Sequence, residues 1–439
     1  MRPNLDDSAV AILKQNDRGG YTIPTKGLYP FQWNWDSAFV ALGFQTFDQD
    51  RAWKEIESLL EGQWVTGFLP HIVFRKDDPT YFPGPTEWGT ARHHWIPTSG
   101  ITQPPVLATI IRDLFETGTP EIAIARARPL ISKIFKWHEW FHTNRDPYET
   151  GMIATVHPWE TGRDNLPDWD APLHNVDISD LETYIRKDVS HVDQDMRPQQ
   201  FDYDRYVRLV HFGRDCAWDK QELVEKNPFW VADVGLTSIL LRADRDLLAL
   251  ALSLGEIEIV DQLERWISRG EEGLEKLWND EVFGYTSLDL RTGERSNMLN
   301  AGTLLPFYAG HAPFTRVDAL FGHMERWWRR CEFGVPSFDP EHKDFDSIRY
   351  WRGPIWAVVN WLIARGLSDH GFDDKAIRVR EDTLKLIEGA GFRENFCPAT
   401  GLGCGGHDFS WTAAIWLNLR NERRHRARPF KLAAQVAAE

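Results

Sequence analysis

Four cysteines in 439 residues are too few for a disulfide scaffold, and Cys216, Cys331, Cys397 and Cys404 contain no C-x-x-C pair. No Asn-x-Ser/Thr glycan acceptor occurs, and no apolar run approaches a membrane span. The opening residues, MRPNLDDSAVAILKQNDRGG, lack the apolar stretch of a secretory leader. Together these absences predict a reduced, cytoplasmic protein. Basic residues are also in deficit. With 50 Lys and Arg against 65 Asp and Glu, the net charge is −15, which argues against nucleic acid and membrane surfaces as partners. Several chemistries lack their signatures: there is no Walker A loop, no H-E-x-x-H and no G-x-S-x-G. GLGCGG at 401–406 matches a dinucleotide loop by letters, but no strand precedes it and no βαβ pattern surrounds it. His93 and His94 have no carboxylate or further histidine at ligand spacing, so no metal is expected.

What is abundant is aromatic. The chain carries 21 Trp and 25 Phe against 5 Met, a balance that suits carbohydrate handling and also thick helix packing. Apolar residues recur at helical spacing, and strand-like alternation is scarce. The period predicts a short helix near 6–17, followed by twelve more. These lie at 35–46, 49–62, 103–118, 120–143, 200–217, 231–254, 256–277, 299–310, 314–331, 353–369, 374–390 and 408–421. Short links alternate with long ones, and the long ones (63–102, 144–199, 278–298, 332–352, 391–407) each run into the start of a helix. Helical hairpins joined in this way would place every long loop on one face of a closed ring. The expected fold is therefore all-α, an (α/α)₆ toroid. It would form one domain over 1–439, with 63–102 and 144–199 folded over the mouth. From about Arg424 the chain reads as a basic, Ala-rich tail.

The long loops carry the chemistry. HPWETGRDNLPDWD at 157–170 puts Glu160, Asp164, Asp168 and Asp170 beside Trp159 and Trp169, with Gly162 and Pro167 breaking any regular period. Flat aromatic faces stack on the C–H faces of a pyranose, and a carboxyl in apolar surroundings can stay protonated near neutrality. A solvated acidic loop anchored by two indoles is the plainer reading of the same residues. Trp35 and Asp36 stand at a helix start, where Asp36 could cap backbone N–H groups or meet sugar hydroxyls. Tyr81 and Gln103 are polar tips of the second long loop. Arg197 could pair with an anionic substrate group or with a surface carboxylate. YWRGPIW at 350–356 sets two indoles around an arginine, and Glu394 lies between Phe392 and Phe396. Glycoside hydrolysis needs two carboxyls on either side of the scissile bond, and Asp164 and Glu394 sit on different loops of the shared face.

Taken in order, YPFQWNWDSAF (29–39), TSGITQPP (98–105), WETGRDN (159–165), YWRGPIW (350–356), F-x-E (392–394) and SWTAA (410–414) resemble glycoside hydrolase family 63. Within it they are similar to the bacterial mannosylglycerate and glucosylglycerate hydrolases, and more distantly to trehalases. The resemblance implies an inverting α-glycosidase that uses no cofactor. It makes Asp164 the general acid and Glu394 the general base. Trp35, Asp36, Trp159, Trp351 and Trp356 would line the hexose site, while Tyr29, Tyr81, Gln103, Arg197 and Tyr203 match positions that hold glycerate. Two positions depart from the pattern, Arg163 before the acid and Phe409 before SWTAA, and both are expected near the aglycone. The partner is thus a small-molecule sugar, and association between copies of the chain stays open. The other readings are a trehalase-like disaccharide hydrolase, a toroid lyase with a Tyr/His pair, and a sugar-binding protein without catalysis.

Overall fold

The computed structural model describes residues 4–426, so the expected tail lies, from residue 427 on, outside the described residues. Helices form where the apolar period is 3.6. In chain order, leaving aside the short helices Pro85–Trp88, Asp170–His174 and Lys220–Lys226 of the long loops, they are α1 (Leu5–Asn16), α2 (Asn34–Phe44), α3 (Gln49–Leu60), α4 (Leu107–Thr117), α5 (Pro120–Asn144), α6 (Gln200–Asp215) and α7 (Val234–Leu254). They continue as α8 (Val260–Lys276), α9 (Leu305–Ala309), α10 (Phe314–Arg330), α11 (Ala357–Asp369), α12 (Asp373–Ala390) and α13 (Ser410–Arg426). The helix expected over 299–310 is divided. Asn300 caps a 3₁₀ turn at Ala301–Leu304 before α9 begins.

Burial sorts the helices into two rings. Every residue of α2 is buried, as suits a helix with neighbours on all sides, whereas α8 buries a single stripe at Leu263, Trp266, Gly270 and Leu274. The inner ring runs α2, α4, α7, α9, α11, α13 and closes back on α2. Outside it, α3 packs on α2, α5 on α4, α8 on α7, α12 on α11 and α1 on α13. α10 follows α9 and packs beside Gly284–Tyr285. This is the (α/α)₆ toroid read from the sequence, with one exchange of parts. The helix set aside at the start, α1, is the outer partner of the last inner helix. α6, counted among the twelve, lies outside the ring and packs on the short helix Pro85–Trp88. An apolar stripe shows that one face of a helix is buried, but not which helix covers it.

The connections leaving inner helices are short, and those entering them are long: 17–33, 61–106, 145–233, 277–300, 331–356 and 391–409. All six long segments therefore gather at the N-terminal ends of the inner helices. Two-residue antiparallel pairs brace them. Gln32–Trp33 joins Ile72–Val73 between two segments, while Ala154–Thr155 joins Val231–Ala232 and Asn395–Phe396 joins Gly403–Cys404, each within one. Among the described residues no helix is long and apolar enough to cross a membrane.

Candidate active site

The twelve residues given catalytic or substrate-binding roles from the sequence border one cavity at this mouth. Asp164 follows a 3₁₀ turn, Pro158–Thr161, that ends at Gly162 with φ +66°. A Cβ at Gly162 would lie 2.7 Å from the Trp35 ring, so only glycine lets the turn rest on that indole. The Tyr206 hydroxyl donates to the Asp164 backbone carbonyl at 2.7 Å and holds the residue in place. Its carboxyl opens on the cavity and lies 3.3 Å from the Tyr350 hydroxyl, to which it donates when protonated and from which it accepts when ionised. Burial pushes this acid up to about 7; the Arg197 guanidinium and the Tyr350 hydroxyl oppose the rise and Glu394 adds to it.

Glu394 sits across the cavity, just before the Asn395–Phe396 strand. Its Oε1 accepts from the Tyr29 hydroxyl at 2.9 Å and its Oε2 from the Gly406 N–H at 2.8 Å. Burial raises this carboxyl as well, against Arg197, the Gly406 N–H and the Tyr29 hydroxyl, all of which favour the anion. Tyr29 and Tyr350 stand 3.2 Å apart, hydroxyl to hydroxyl. A continuous chain thus runs from Asp164 Oδ2 through Tyr350 and Tyr29 to Glu394 Oε1. Its three links cap the gap between those oxygens at roughly 9.4 Å, so the pair stands no further apart than the upper end of the ~6.5–9.5 Å spacing of inverting glycosidases.

Three indoles form the deep wall. Trp351 and Trp356 stack at 3.9 Å with rings 3° from parallel, and Trp35 packs beside Trp351 at 6.5 Å. Asp36 lies in the first turn of α2, but the cap position belongs to Trp33. Its carboxyl faces the cavity instead, and burial raises it well above the usual range, with Glu394 and Asp164 adding to the effect. Gln103 accepts the Trp35 N–H at 3.2 Å. Trp159 meets Tyr203 edge to face at 6.3 Å, and the Tyr203 hydroxyl donates to the Phe82 carbonyl at 3.2 Å. Tyr81 packs edge-on against Phe31 and Trp33. Arg197 is buried at the rim. It donates to Asp188 at 3.1 Å and to the Tyr29 hydroxyl at 3.0 Å, and it covers the Tyr350 ring at 4.3 Å.

The other carboxylates of 157–170 are scaffold. Glu160 pairs with Arg145 at 2.6 Å and accepts the Val156 N–H, and Asp170 pairs with Arg352. Asp168 accepts from Asn300 and is raised to about 7, first by burial. Arg163 departs from its expected place. It does not border the cavity: its guanidinium turns into the protein, to Asp233 at 2.5 Å and Asn300 at 2.8 Å. Asp233 caps α7 through the Gly235 and Leu236 N–H groups, so Arg163 braces the start of an inner helix. Phe409 does border the cavity and packs edge-on against Tyr29 at 5.9 Å.

Several cavity residues escaped the sequence reading. Tyr350 lay inside a quoted motif but drew no attention beside its tryptophans. His71, held by Ser99 at 2.7 Å, is kept neutral by burial and then by the neighbouring His157. Lys187, Asp188 and His191 come from a stretch with no pattern of its own. The glycine run at 401–406 also gains a purpose. A Cβ at Gly405, where φ is +66°, would lie 2.3 Å from Glu394 Oε2, so the run is a cradle for that carboxylate.

One titration follows from this geometry. A general acid works only while protonated, so kcat/KM is expected to fall as pH rises through about 7, the Asp164 value. It should also fall at lower pH as Glu394, which must be ionised, takes up a proton. A pH profile of kcat/KM on a slow glycoside tests both limbs, and a flat line across neutrality would remove Asp164 from the role.

A toroid whose mouth holds such a pair among stacked indoles falls in the class of α/α-toroid glycoside hydrolases. The pattern described as the mannosylglycerate hydrolase MGH1-like glycoside hydrolase domain matches residues 29–412. The chain belongs to that family, a branch of glycoside hydrolase family 63. It is 46% identical over 411 residues to the mannosylglycerate hydrolase of Thermus thermophilus, spanning 93% of this chain and 99% of that one. Against the glucosylglycerate hydrolase of Mycolicibacterium hassiacum it is 33% identical over 431 residues, spanning 93% and 96%. A crystal structure of the family 63 mannosylglycerate hydrolase from Thermus thermophilus, in complex with Tris and D-glycerate, aligns with a TM-score of 0.92. There the identity is 46%, over 95% of this chain and all of that one.

Proposed function

We propose that the protein hydrolyses a hexosyl glycerate, mannosylglycerate or glucosylglycerate, with inversion at the anomeric carbon. The hydroxyl-linked pair of buried carboxyls carries the reading. Asp164 gives its proton to the glycosidic oxygen as the bond to the anomeric carbon breaks. Glu394 takes a proton from the water that attacks the opposite face of the ring. Trp35, Trp351, Trp356 and Trp159 bear on the hexose faces, and Asp36 accepts from its hydroxyls. Tyr29, Tyr81, Gln103, Tyr203 and Arg197 hold the glycerate end, with the guanidinium on its carboxylate. Residues 63–102 and 144–199 serve as the lid of a single domain, a role supported by their delivery of Tyr81, Trp159, Asp164 and Lys187 to the cavity. Action in a reducing cytoplasm is supported by four cysteines with no disulfide among them.

Proton NMR of fresh product should show the β-hexose first; initial α-hexose would overturn inversion. Arg197→Ala should lower kcat/KM on mannosylglycerate about tenfold to a hundredfold, the worth of a hydrogen-bonded charge contact. One observation favours a second reading. Arg197 already binds Asp188 and Tyr29, an arrangement that would suit a neutral disaccharide held without a carboxylate. If the variant keeps its kcat/KM on the best substrate of a panel with trehalose, kojibiose and nigerose, the second reading replaces the first.

A further inference from the structure

An inverting turnover leaves the two carboxyls in the wrong states. The acid has lost its proton to the leaving group, and the base has gained one from water. Before the next cycle a proton must return from Glu394 to Asp164. Glu394 borders the cavity but is only 1% exposed, so the water it meets is that held in the site, and its Oε1 leads directly to the Tyr29 hydroxyl.

We propose that Tyr29 and Tyr350 form a proton relay that carries this proton directly from Glu394 back to Asp164. The inference rests on the acid and base roles above and adds a step after bond cleavage. In the spent site the Glu394 carboxyl donates to Tyr29 Oη, Tyr29 donates to Tyr350 Oη, and Tyr350 donates to the Asp164 anion. The distances of 2.9, 3.2 and 3.3 Å support each link. One concerted shift moves each proton along its own hydrogen bond. The O–H bond of Glu394 breaks and one forms on Asp164, while both phenols break one O–H bond and form another. Every hydroxyl then points toward Glu394, which is the arrangement the resting site requires. No outside donor is needed, and net charge is conserved.

The surroundings fix both phenols in line. Arg197 Nη1 donates to Tyr29 Oη at 3.0 Å, and the same guanidinium lies over the Tyr350 ring. That leaves Tyr29 Oη with two further partners, Tyr350 and Glu394, one on each side of the relay. Tyr350 is held in left-handed backbone at φ +41°, a conformation that a bulky side chain rarely adopts. Its carbonyl accepts from Trp356 Nε1 at 3.2 Å, and its ring meets Trp356 edge to face at 5.2 Å. Strain retained at one phenol between two carboxyls fits a hydroxyl whose position matters. Burial drives both phenols well above their ordinary range, so neither becomes a standing phenolate and each passes a proton only in exchange for another.

The test compares first and later turnovers of Tyr350→Phe on mannosylglycerate or glucosylglycerate, whichever is hydrolysed faster. It is run in dilute buffer a little below pH 7, where Asp164 starts protonated and buffer proton donors are scarce. Rapid-quench measurement should give a burst of one product per site, with the steady rate at least about tenfold below the burst rate. Added imidazole should restore the steady rate by ferrying protons, and the wild type should show neither burst nor imidazole dependence. Tyr29→Phe, which breaks the chain one link earlier, should show the same gap between burst and steady rates at saturating substrate, whatever it costs in KM through its place at the glycerate end. If burst and steady rates fall together and imidazole does nothing, the tyrosines only position the carboxyls and the relay is wrong. Steady turnover equal to wild type would mean that water resets the site, which also overturns it. If Asp164→Asn and Glu394→Gln keep the first turnover, the acid and base assignment has failed instead.

Discussion

Asp164→Asn and Glu394→Gln are each expected to lower kcat by about a hundredfold to ten-thousandfold, the usual span for losing a placed acid or base. The folded protein should survive both changes. Asparagine keeps an oxygen for the Tyr350 hydroxyl, and glutamine can turn its oxygen to the Gly406 N–H and its amide to Tyr29. The two losses should differ in kind. A substrate whose leaving group needs no proton should recover much of its rate with Asp164→Asn and little with Glu394→Gln, because attack by water still needs the base. Released hexose followed over time, beside a thermal melt, checks both points. Near wild-type turnover by either variant on the true substrate would end the assignment.

Arg163→Ala should cost stability rather than catalysis. Its guanidinium is buried between Asp233 and Asn300, and removing one partner of a buried ion pair costs about 3–5 kcal/mol. The loss is compounded because Asp233 caps α7 and buried Asp168 lies in the same cluster. A clear fall in the melting midpoint is expected, with KM for the surviving enzyme little changed. The reverse pattern, an unchanged midpoint with a shifted KM, would return Arg163 to the substrate site.

That residue also marks where sequence reading ran out. Beside the acid in the chain, Arg163 looked like a residue of the aglycone site. The turn at Gly162 sends neighbouring side chains in opposite directions, and the packing around the turn, not its sequence, decides which one enters the cavity. Glu394 was legible because a carboxylate between two phenylalanines is unusual in a short loop. The glycines that cradle it were read only against a dinucleotide site, since their purpose depends on a hairpin that folds them back on Glu394. Tyr350 was hidden for a similar reason, its hydroxyl meeting Tyr29 across 321 positions of chain. For the fold, periodicity located the long helices and loop lengths implied the ring. It could not say that α1 and not α6 completes the outer layer, because both show the same half-apolar face.

The place of α1 bears on how the pocket comes into being. Asn16 Nδ2 donates to Ser410 Oγ at 2.9 Å, joining residues 394 positions apart, and Trp416 Nε1 donates to Asp6 at 2.8 Å. These contacts clasp the first helix to the last, and they are among the longest-range contacts in the molecule. Such closure carries a loop-ordering cost that local helix contacts do not, since the ends of a long chain must meet before any contact rewards the ordering. Glu394 arrives on the segment leading into that last helix, and Asp164 was made 230 residues earlier. The pair is therefore assembled by the same event that shuts the ring. Hydrolysis is thus tied to closure of the ring, since without it Glu394 is not held across the cavity from Asp164.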